Sequence, residues 1–291
     1  MPPSPPPINA IAITFNIADK TTELVDSPCL DYDGNLFRDK DIVFVSFQET
    51  RVGFPESTHL TSKLLGCFRE KGFVMIANKV SGMPGIAFAT RLYIYVREHL
   101  VQRIKVLRVG KMRHTLSKRT CFADLLIDNV HKMTAICSHL PFNKKDQTDA
   151  TLRTKCLGDI RKTIVEPRGN TPKRSWFLFG DLNFRNVQSN TNAMKIVDQG
   201  DEAIDVTFGP AVRQGKTDKP TCKLDTDKCD NGNRYNCKNS YVGNRSRSLC
   251  DRFVYYDEGT YQNVKTQELP RGNWDNVISD HLPIMMTWTV R

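Results

Sequence analysis

Nine apolar runs of strand length recur between residues 8 and 290: Ile8–Phe15, Ile42–Phe47, Phe73–Val80, Gly85–Val96, Thr120–Ile127, Lys132–Ser138, Trp176–Gly180, Cys250–Tyr256 and Pro283–Val290. They are rich in Ile, Val, Phe, Thr and Tyr, and Gly, Pro, Asn or Asp bound many of them, as strands require. Two segments carry a helical period instead. One is Thr58–Lys71, with Leu60, Leu64, Leu65 and Phe68 on a face; the other is Asp146–Ile164, with Leu152, Cys156, Leu157, Ile160 and Ile164 at spacings of three and four. A third helix is expected near Asn192–Asp198. Many strands with helices interspersed singly predict an α/β chain of two packed sheets flanked by helices.

Residues 1–7, Met1-Pro-Pro-Ser-Pro-Pro-Pro7, have neither a basic nor an apolar leader pattern and read as an extended proline-rich arm. Residues 8–291 read as one domain without internal repeats. The stretch Arg213–Ser248 lacks any period and is expected to be a long ordered loop or a set of hairpins. No stretch approaches the ~20 apolar residues that span a bilayer, so a soluble chain is expected. The net charge of +10 favours polyanionic partners: nucleic acid, an anionic membrane or a phosphorylated small molecule. Nine cysteines are many for a reducing compartment. Cys222, Cys229 and Cys237 share one polar loop at spacings that fit no common zinc pattern, so disulfides with an odd thiol are expected. Cys137 and Cys250, beside apolar runs, are candidates for plain buried thiols.

The ends of the strands carry the chemistry. Asn16 follows the first run, Gln48-Glu49 the second, Ser138-His139 another, and Gly180-Asp181-Leu-Asn183 follows Trp176-Phe-Leu-Phe179. Asp251-Arg252 opens Phe253-Val-Tyr-Tyr, and Ser279-Asp280-His281 precedes Leu282-Pro-Ile-Met. One polar cap is ordinary turn chemistry. Six caps drawn from Asn, Glu, His and Asp predict a constellation gathered at one edge of a sandwich.

In that order these residues resemble the endonuclease/exonuclease/phosphatase superfamily. Within it, Trp176-Phe-Leu-Phe-Gly-Asp-Leu-Asn-Phe-Arg185 and Leu249-Cys-Asp-Arg-Phe253 look like the two motifs of inositol polyphosphate 5-phosphatases. The resemblance runs from about residue 8 to 290. It implies a DNase I-like four-layer α/β sandwich of two mostly antiparallel sheets, dependence on Mg²⁺, and hydrolysis of the 5-phosphate of inositol polyphosphates and phosphoinositide headgroups. Inositol 1,4,5-trisphosphate and phosphatidylinositol 4,5-bisphosphate and 3,4,5-trisphosphate are the candidate substrates. It makes Glu49 the principal metal ligand with Asn16 beside it, and Asp280 reachable directly or through water. Asp181 would orient or deprotonate the attacking water, with Asn183 holding the same cluster. His281, its ring fixed by Asp251, and His139 would donate to phosphoryl oxygens.

The substrate side matches less closely. Pro220-Thr-Cys222-Lys223 has a cysteine where the family places tyrosine, and Arg245-Ser-Arg-Ser-Leu249 lacks the usual proline and tryptophan. Lys118, Arg185, Lys223 and Arg245 are the candidate phosphate contacts. Asn244-Arg245-Ser246 is also a glycosylation sequon, which conflicts with a pocket there. Cysteines and proline-rich start suggest a secreted member resembling salivary phosphatases of blood-feeding insects, monomeric and with no nucleic-acid partner. Basic stretches such as Arg103–Arg119 would give peripheral contact with anionic membranes. Two other readings compete: a secreted DNase-like nuclease, which the positive charge suits, and a non-enzymatic haem and nitric-oxide carrier. Cys67 is the tempting haem ligand, against its alternatives as a helix-face core residue or a disulfide partner.

Overall fold

The computed structural model describes residues 5–27, 29, 34–53, 55–84, 86–141, 151–166, 173–184, 186–188, 196–215, 217, 250–270, 277 and 279–291. The first strand, β1 (Ile8–Asn16), shows how its layers arise. Side chains alternate across a strand, so Ile8, Ala10 and Ala12 face one core while Ile11, Ile13 and Phe15 face another. Both faces are apolar, and each must be covered.

One sheet has the order β13 (Tyr261–Glu268), β14 (Ile284–Val290), β1, β2 (Ile42–Thr50), β4 (Ile86–Arg97), β3 (Phe73–Met83). The other runs β11 (Arg213–Gly215), β12 (Asp251–Asp257), β8 (Lys173–Asp181), β7 (His131–His139), β6 (Arg119–Ile127), β5 (Ile104–Arg113). A two-stranded ribbon pairs β9 (Asn186–Gln188) with β10 (Ile196–Asp198). The pairs β1–β2 and β7–β8 are parallel and the other pairings antiparallel.

Between the sheets lies a core that includes Phe44, Ile94, Phe177, Phe179, Phe253 and Trp288. On the outer face of the first sheet, Leu24 of α1 (Thr21–Asp26) and Leu60, Leu64 and Phe68 of α2 (Pro55–Glu70) cover Val43, Val45 and Tyr95. On the outer face of the second, Cys156, Leu157 and Ile160 of α3 (Thr151–Ile160) and Ala203 and Ile204 of α4 (Gln199–Phe208) cover Ile136, Leu178 and Val254. The result is the expected helix–sheet–sheet–helix sandwich.

The elements depart from the sequence reading in identifiable ways. The third helix is not at Asn192–Asp198: β10 occupies Ile196–Asp198 and α4 begins at Gln199. Two adjacent β-branched residues, Ile196 and Val197, favour an extended pairing with β9. The helix expected over Asp146–Ile164 is α3 followed by a π-helical turn at Arg161–Val165, its first residues lying outside those described. Strands β5 and β13 are absent from the nine apolar runs, because both lie at sheet edges and present many polar side chains to solvent. No helix among the described residues is long and apolar enough to cross a membrane.

Cys67, on α2, forms a disulfide with Cys29, with Cα atoms 5.7 Å apart. It is thus the disulfide partner of the readings weighed, and its thiolate is not open to a haem. Cys137 and Cys250 are buried, as expected, and Cys121, Cys137 and Cys156 are free thiols. Cys222, Cys229 and Cys237 lie outside the described residues. The bond closes a loop with a sequence separation of 38. Replacing both Cys29 and Cys67 by serine is therefore expected to lower unfolding free energy by about 2–4 kcal/mol, read from urea denaturation. An unchanged midpoint would mean that the bridge does not constrain the unfolded chain.

Candidate active site

At one end of the sandwich the inner face changes character. Along β1 the inward series Ala10, Ala12 continues as Thr14 and Asn16; along β2, Phe44 continues as Ser46 and Gln48. On β7 it runs Ala135, Cys137, His139, and on β8 Phe177, Phe179, Asp181. On antiparallel β12, Asp251 precedes Phe253 and lies in register with Asp181. The same alternation that builds the core thus delivers the polar caps to one place. Asn16, His139, Asp181, Asn183, Asp251 and His281 are all buried.

Asp181 is the hub. Its Oδ2 accepts a hydrogen bond from Asn16 Nδ2 at 2.9 Å and lies 3.3 Å from His139 Nε2 and 3.8 Å from His281 Nε2. Its Oδ1 accepts the Asn183 backbone N–H at 3.0 Å, and Asn183 Nδ2 donates to the Leu140 carbonyl at 2.8 Å. Asn183 takes a left-handed backbone, φ 55°, which asparagine tolerates. Gly180 is required just before the hub. A Cβ there would lie 2.1 Å from the Ser138 carbonyl oxygen, so no side chain fits between β8 and β7 at this point.

His281 Nδ1 is 2.7 Å from Asp251 Oδ2, and Nε2 turns toward Asp181 and, at 3.7 Å, toward Asp280 Oδ1. Burial works to lower the pKa of this ring, but the carboxylates of Asp251, Asp181 and Asp280 outweigh it and raise it to about 10. His281 is an imidazolium at neutral pH. His139 goes the other way. Burial, helped by the Lys118 ammonium, lowers its pKa against the pull of Asp181 and Glu49, and the ring stays neutral. Burial alone would raise the Asp181 pKa; His281, His139 and Lys118 together drive it well below the ordinary carboxylate range.

Glu49 arrives by a different device. Alternation would send it to the outer face with Phe47. Instead β2 bulges, with Gln48 and Glu49 set against Thr90 alone, and Glu49 adopts φ 57°. Its Oε1 then lies 3.6 Å from His139 Nε2 and 3.6 Å from Lys118 Nζ. Lys118 Nζ also contacts His139 Nε2. The lysine comes from the β5–β6 turn, where its backbone N–H is held by the Thr115 hydroxyl.

The structure therefore brings together Asn16, Glu49, Lys118, His139, Asp181, Asn183, Asp251, Asp280 and His281. Arg185, Lys223, Arg245 and the sequon at Asn244 lie outside the described residues. Sequence reasoning quoted Ser279 within a motif without giving it a role. Its hydroxyl donates to the Asn16 carbonyl at 2.6 Å and accepts the His281 N–H at 3.2 Å, tying the last segment to β1. Its position two residues before His281 was the available signal.

Asp181, Asp251 and His281 place donor atoms within 4.8 Å of one another, a metal-like cluster. An imidazolium bonded to a carboxylate is a poor ligand, which favours the Glu49 side. There the partly exposed Glu49 carboxylate and the Asp181 carboxylate both face His139 Nε2 and offer the hard oxygen donors that a divalent cation takes, while Asn16 turns its Nδ2 to Asp181 and its Oδ1 accepts the Ala18 N–H.

The family model "Endonuclease/Exonuclease/phosphatase family 2" matches residues 13–287. Among solved structures, the inositol polyphosphate 5-phosphatase domain of SPsynaptojanin, in complex with inositol (1,4)-bisphosphate and calcium ion, is similar at 19% identity and TM-score 0.68. The match covers 98% of this chain and 84% of that one. A point mutant of Cimex nitrophorin, as its ferrous NO complex, is similar at 15% identity and TM-score 0.66, over 98% and 99% of the two chains. TDP2 from C. elegans is similar at 17% identity and TM-score 0.56, over 96% and 75%. No curated protein sequence matches the chain.

Proposed function

Because the chain belongs to endonuclease/exonuclease/phosphatase family 2, we propose that it is a metal-dependent phosphoric monoester hydrolase that removes the 5-phosphate of inositol polyphosphates and phosphoinositide headgroups. The observation that carries this reading is the Asp181 carboxylate with Asn16, His139 and His281 all within 3.8 Å of its Oδ2, and Asp251 behind His281. The 5-phosphatase reading within the family rests on the Trp176–Arg185 and Leu249–Phe253 motifs.

The roles follow from the charges. Asp181, held ionised, is too weak a base to keep a proton at neutral pH; its task is to orient the attacking water, in the place that Asn183 and Asn16 fix. The His281 imidazolium, backed by Asp251, donates to a phosphoryl oxygen as charge gathers there. Neutral His139 donates a second hydrogen bond, and the Lys118 ammonium adds a fixed positive charge beside it. Glu49 and Asn16 are the residues that would hold Mg²⁺, with Asp280 near enough to act through water. Bound there, the ion would supply Lewis-acid neutralisation of the scissile phosphate and the leaving oxygen. The products are inorganic phosphate and the ring hydroxyl. Lys118, Arg185, Lys223 and Arg245 are proposed as phosphate contacts that select the ring.

Phosphoinositide headgroups sit at a membrane, and the β5–β6 hairpin supports peripheral contact. It exposes Lys105, Lys111 and Arg113 with Leu107 and, two residues before Lys118, Leu116 at 64% exposure. Cations beside an exposed leucine at the rim of the site suit an anionic bilayer surface. A secreted, disulfide-bonded monomer is the form proposed, supported by the Cys29–Cys67 bridge. A nuclease reading keeps one specific support, the net charge of +10.

Phosphate release from inositol 1,4,5-trisphosphate and from phosphatidylinositol 4,5-bisphosphate in vesicles tests the reading, alongside nicking of plasmid. Release from both inositol substrates, abolished by EDTA and restored by Mg²⁺, is expected. Nicking without phosphate release would transfer the site to the nuclease class.

A further inference from the structure

The bulge that delivers Glu49 is strained, and something must hold it. On the β1 side two backbone bonds do so: Ile17 N–H to the Gln48 carbonyl at 3.1 Å and Asp19 N–H to the Glu49 carbonyl at 3.0 Å. On the β4 side the grip comes from Arg91, whose side chain is on the outer face with Tyr93 and is 1% exposed. Its Nε donates to the Thr50 hydroxyl at 2.9 Å, one Nη donates to the Arg51 carbonyl at 2.7 Å, and the other donates to the Tyr93 hydroxyl at 3.1 Å. Thr50 in turn reaches the Ala89 carbonyl at 3.3 Å.

Burying a guanidinium is costly, and an aliphatic side chain would fill the same space without that penalty. A planar fork does what neither an aliphatic chain nor a lysine can: it holds two successive residues, one by its hydroxyl and one by its carbonyl, and an anchoring phenol at once. Those two positions are the ones that immediately follow Glu49. Tyr93 is itself 3.1 Å from the Thr61 hydroxyl of α2, so the grip is referred to a helix packed on the sheet. An ordinary extended β2 would turn Glu49 away from His139 and Lys118.

We propose that Arg91 is a positioning residue for Glu49, locking the β2 bulge so that the carboxylate faces the cation site from the opposite side of the sheet. This rests on the reading of Glu49 as a metal ligand, and the test separates the two. Binding of Mn²⁺ alone is followed by the electron paramagnetic resonance of the free ion, for the parent chain, Glu49→Gln, Arg91→Lys and Thr50→Val. Thr50→Val removes the hydroxyl that Arg91 holds while keeping the volume, and serves if Arg91→Lys melts early.

Glu49→Gln is expected to weaken Mn²⁺ binding most. Arg91→Lys is expected to weaken it by about 10–100-fold, as for other groups that orient a ligand, with Thr50→Val shifting the same way by less. Arg91→Lys should also regain its turnover at high metal concentration, which a merely misfolded chain would not. If Glu49→Gln weakens Mn²⁺ and both other variants bind like the parent, the role of Arg91 is overturned. If Glu49→Gln itself binds like the parent, the metal assignment falls instead.

Discussion

Asp181→Asn is expected to lower kcat by about 10³-fold or more while leaving KM within a few-fold, because the group it removes orients the water and does not hold the substrate. The substitution keeps the shape, and its one amide oxygen can still accept the Asn183 N–H while the bond from Asn16 Nδ2 is lost, so the fold is expected to be retained. It also removes the negative charge that faces two histidines and Lys118, and with it one of the carboxylates that raise the His281 pKa. Near-parent turnover in a folded Asp181→Asn chain, measured as phosphate release, would show that the water is oriented by another group.

The second large effect concerns Asp251. Its carboxylate is the strongest of the groups that raise the His281 pKa to about 10, against the opposing effect of burial. His281 donates to the phosphate while protonated, so activity in the parent should fall only as pH climbs toward 10. In Asp251→Asn the ring loses that partner, and its pKa moves down toward or below the ordinary value near 6.5. The alkaline limb of the pH–kcat profile is expected to move acidward by about two pH units or more, and kcat at pH 8 to fall by about 30-fold where the ring reaches its ordinary pKa. An unmoved alkaline limb would mean that some other group titrates in it.

Stability follows the same sign. A ring whose pKa is higher folded than unfolded stabilises the native chain fully below about pH 6.5 and loses that contribution as pH rises toward 10. Asp181, whose pKa is depressed, contributes above its unfolded value near 3.8 and loses the contribution as pH falls. The intact site is thus best supported between the two limits.

Much of this was legible because two regularities in the sequence coincide. Alternation in runs such as Ile8–Phe15 identifies strands, and the residue just beyond the last apolar position falls on a predictable face. That is why Asn16, His139, Asp181 and Asp251 could be named from their places at strand ends. Glu49 was named with Gln48 at the end of the second run, yet alternation alone puts it on the wrong side of β2. The bulge depends on Arg91, forty-two positions later in the chain, and pairings at that separation leave no local trace. The one available hint was a charged residue inside the apolar run Gly85–Val96. The edge strands β5 and β13 escaped notice because one face of each is bathed in water and carries no apolar pattern.

The β7–β8 contact has a further consequence. With the Ser138 carbonyl where a Gly180 side chain would stand, the two strands meet backbone to backbone immediately beneath the reacting carboxylate. The floor of the site cannot yield to a bulkier or differently shaped guest. On the proposed phosphatase reading, choice among phosphate esters is then expected to rest with whatever borders the mouth, while the bedrock stays untouched.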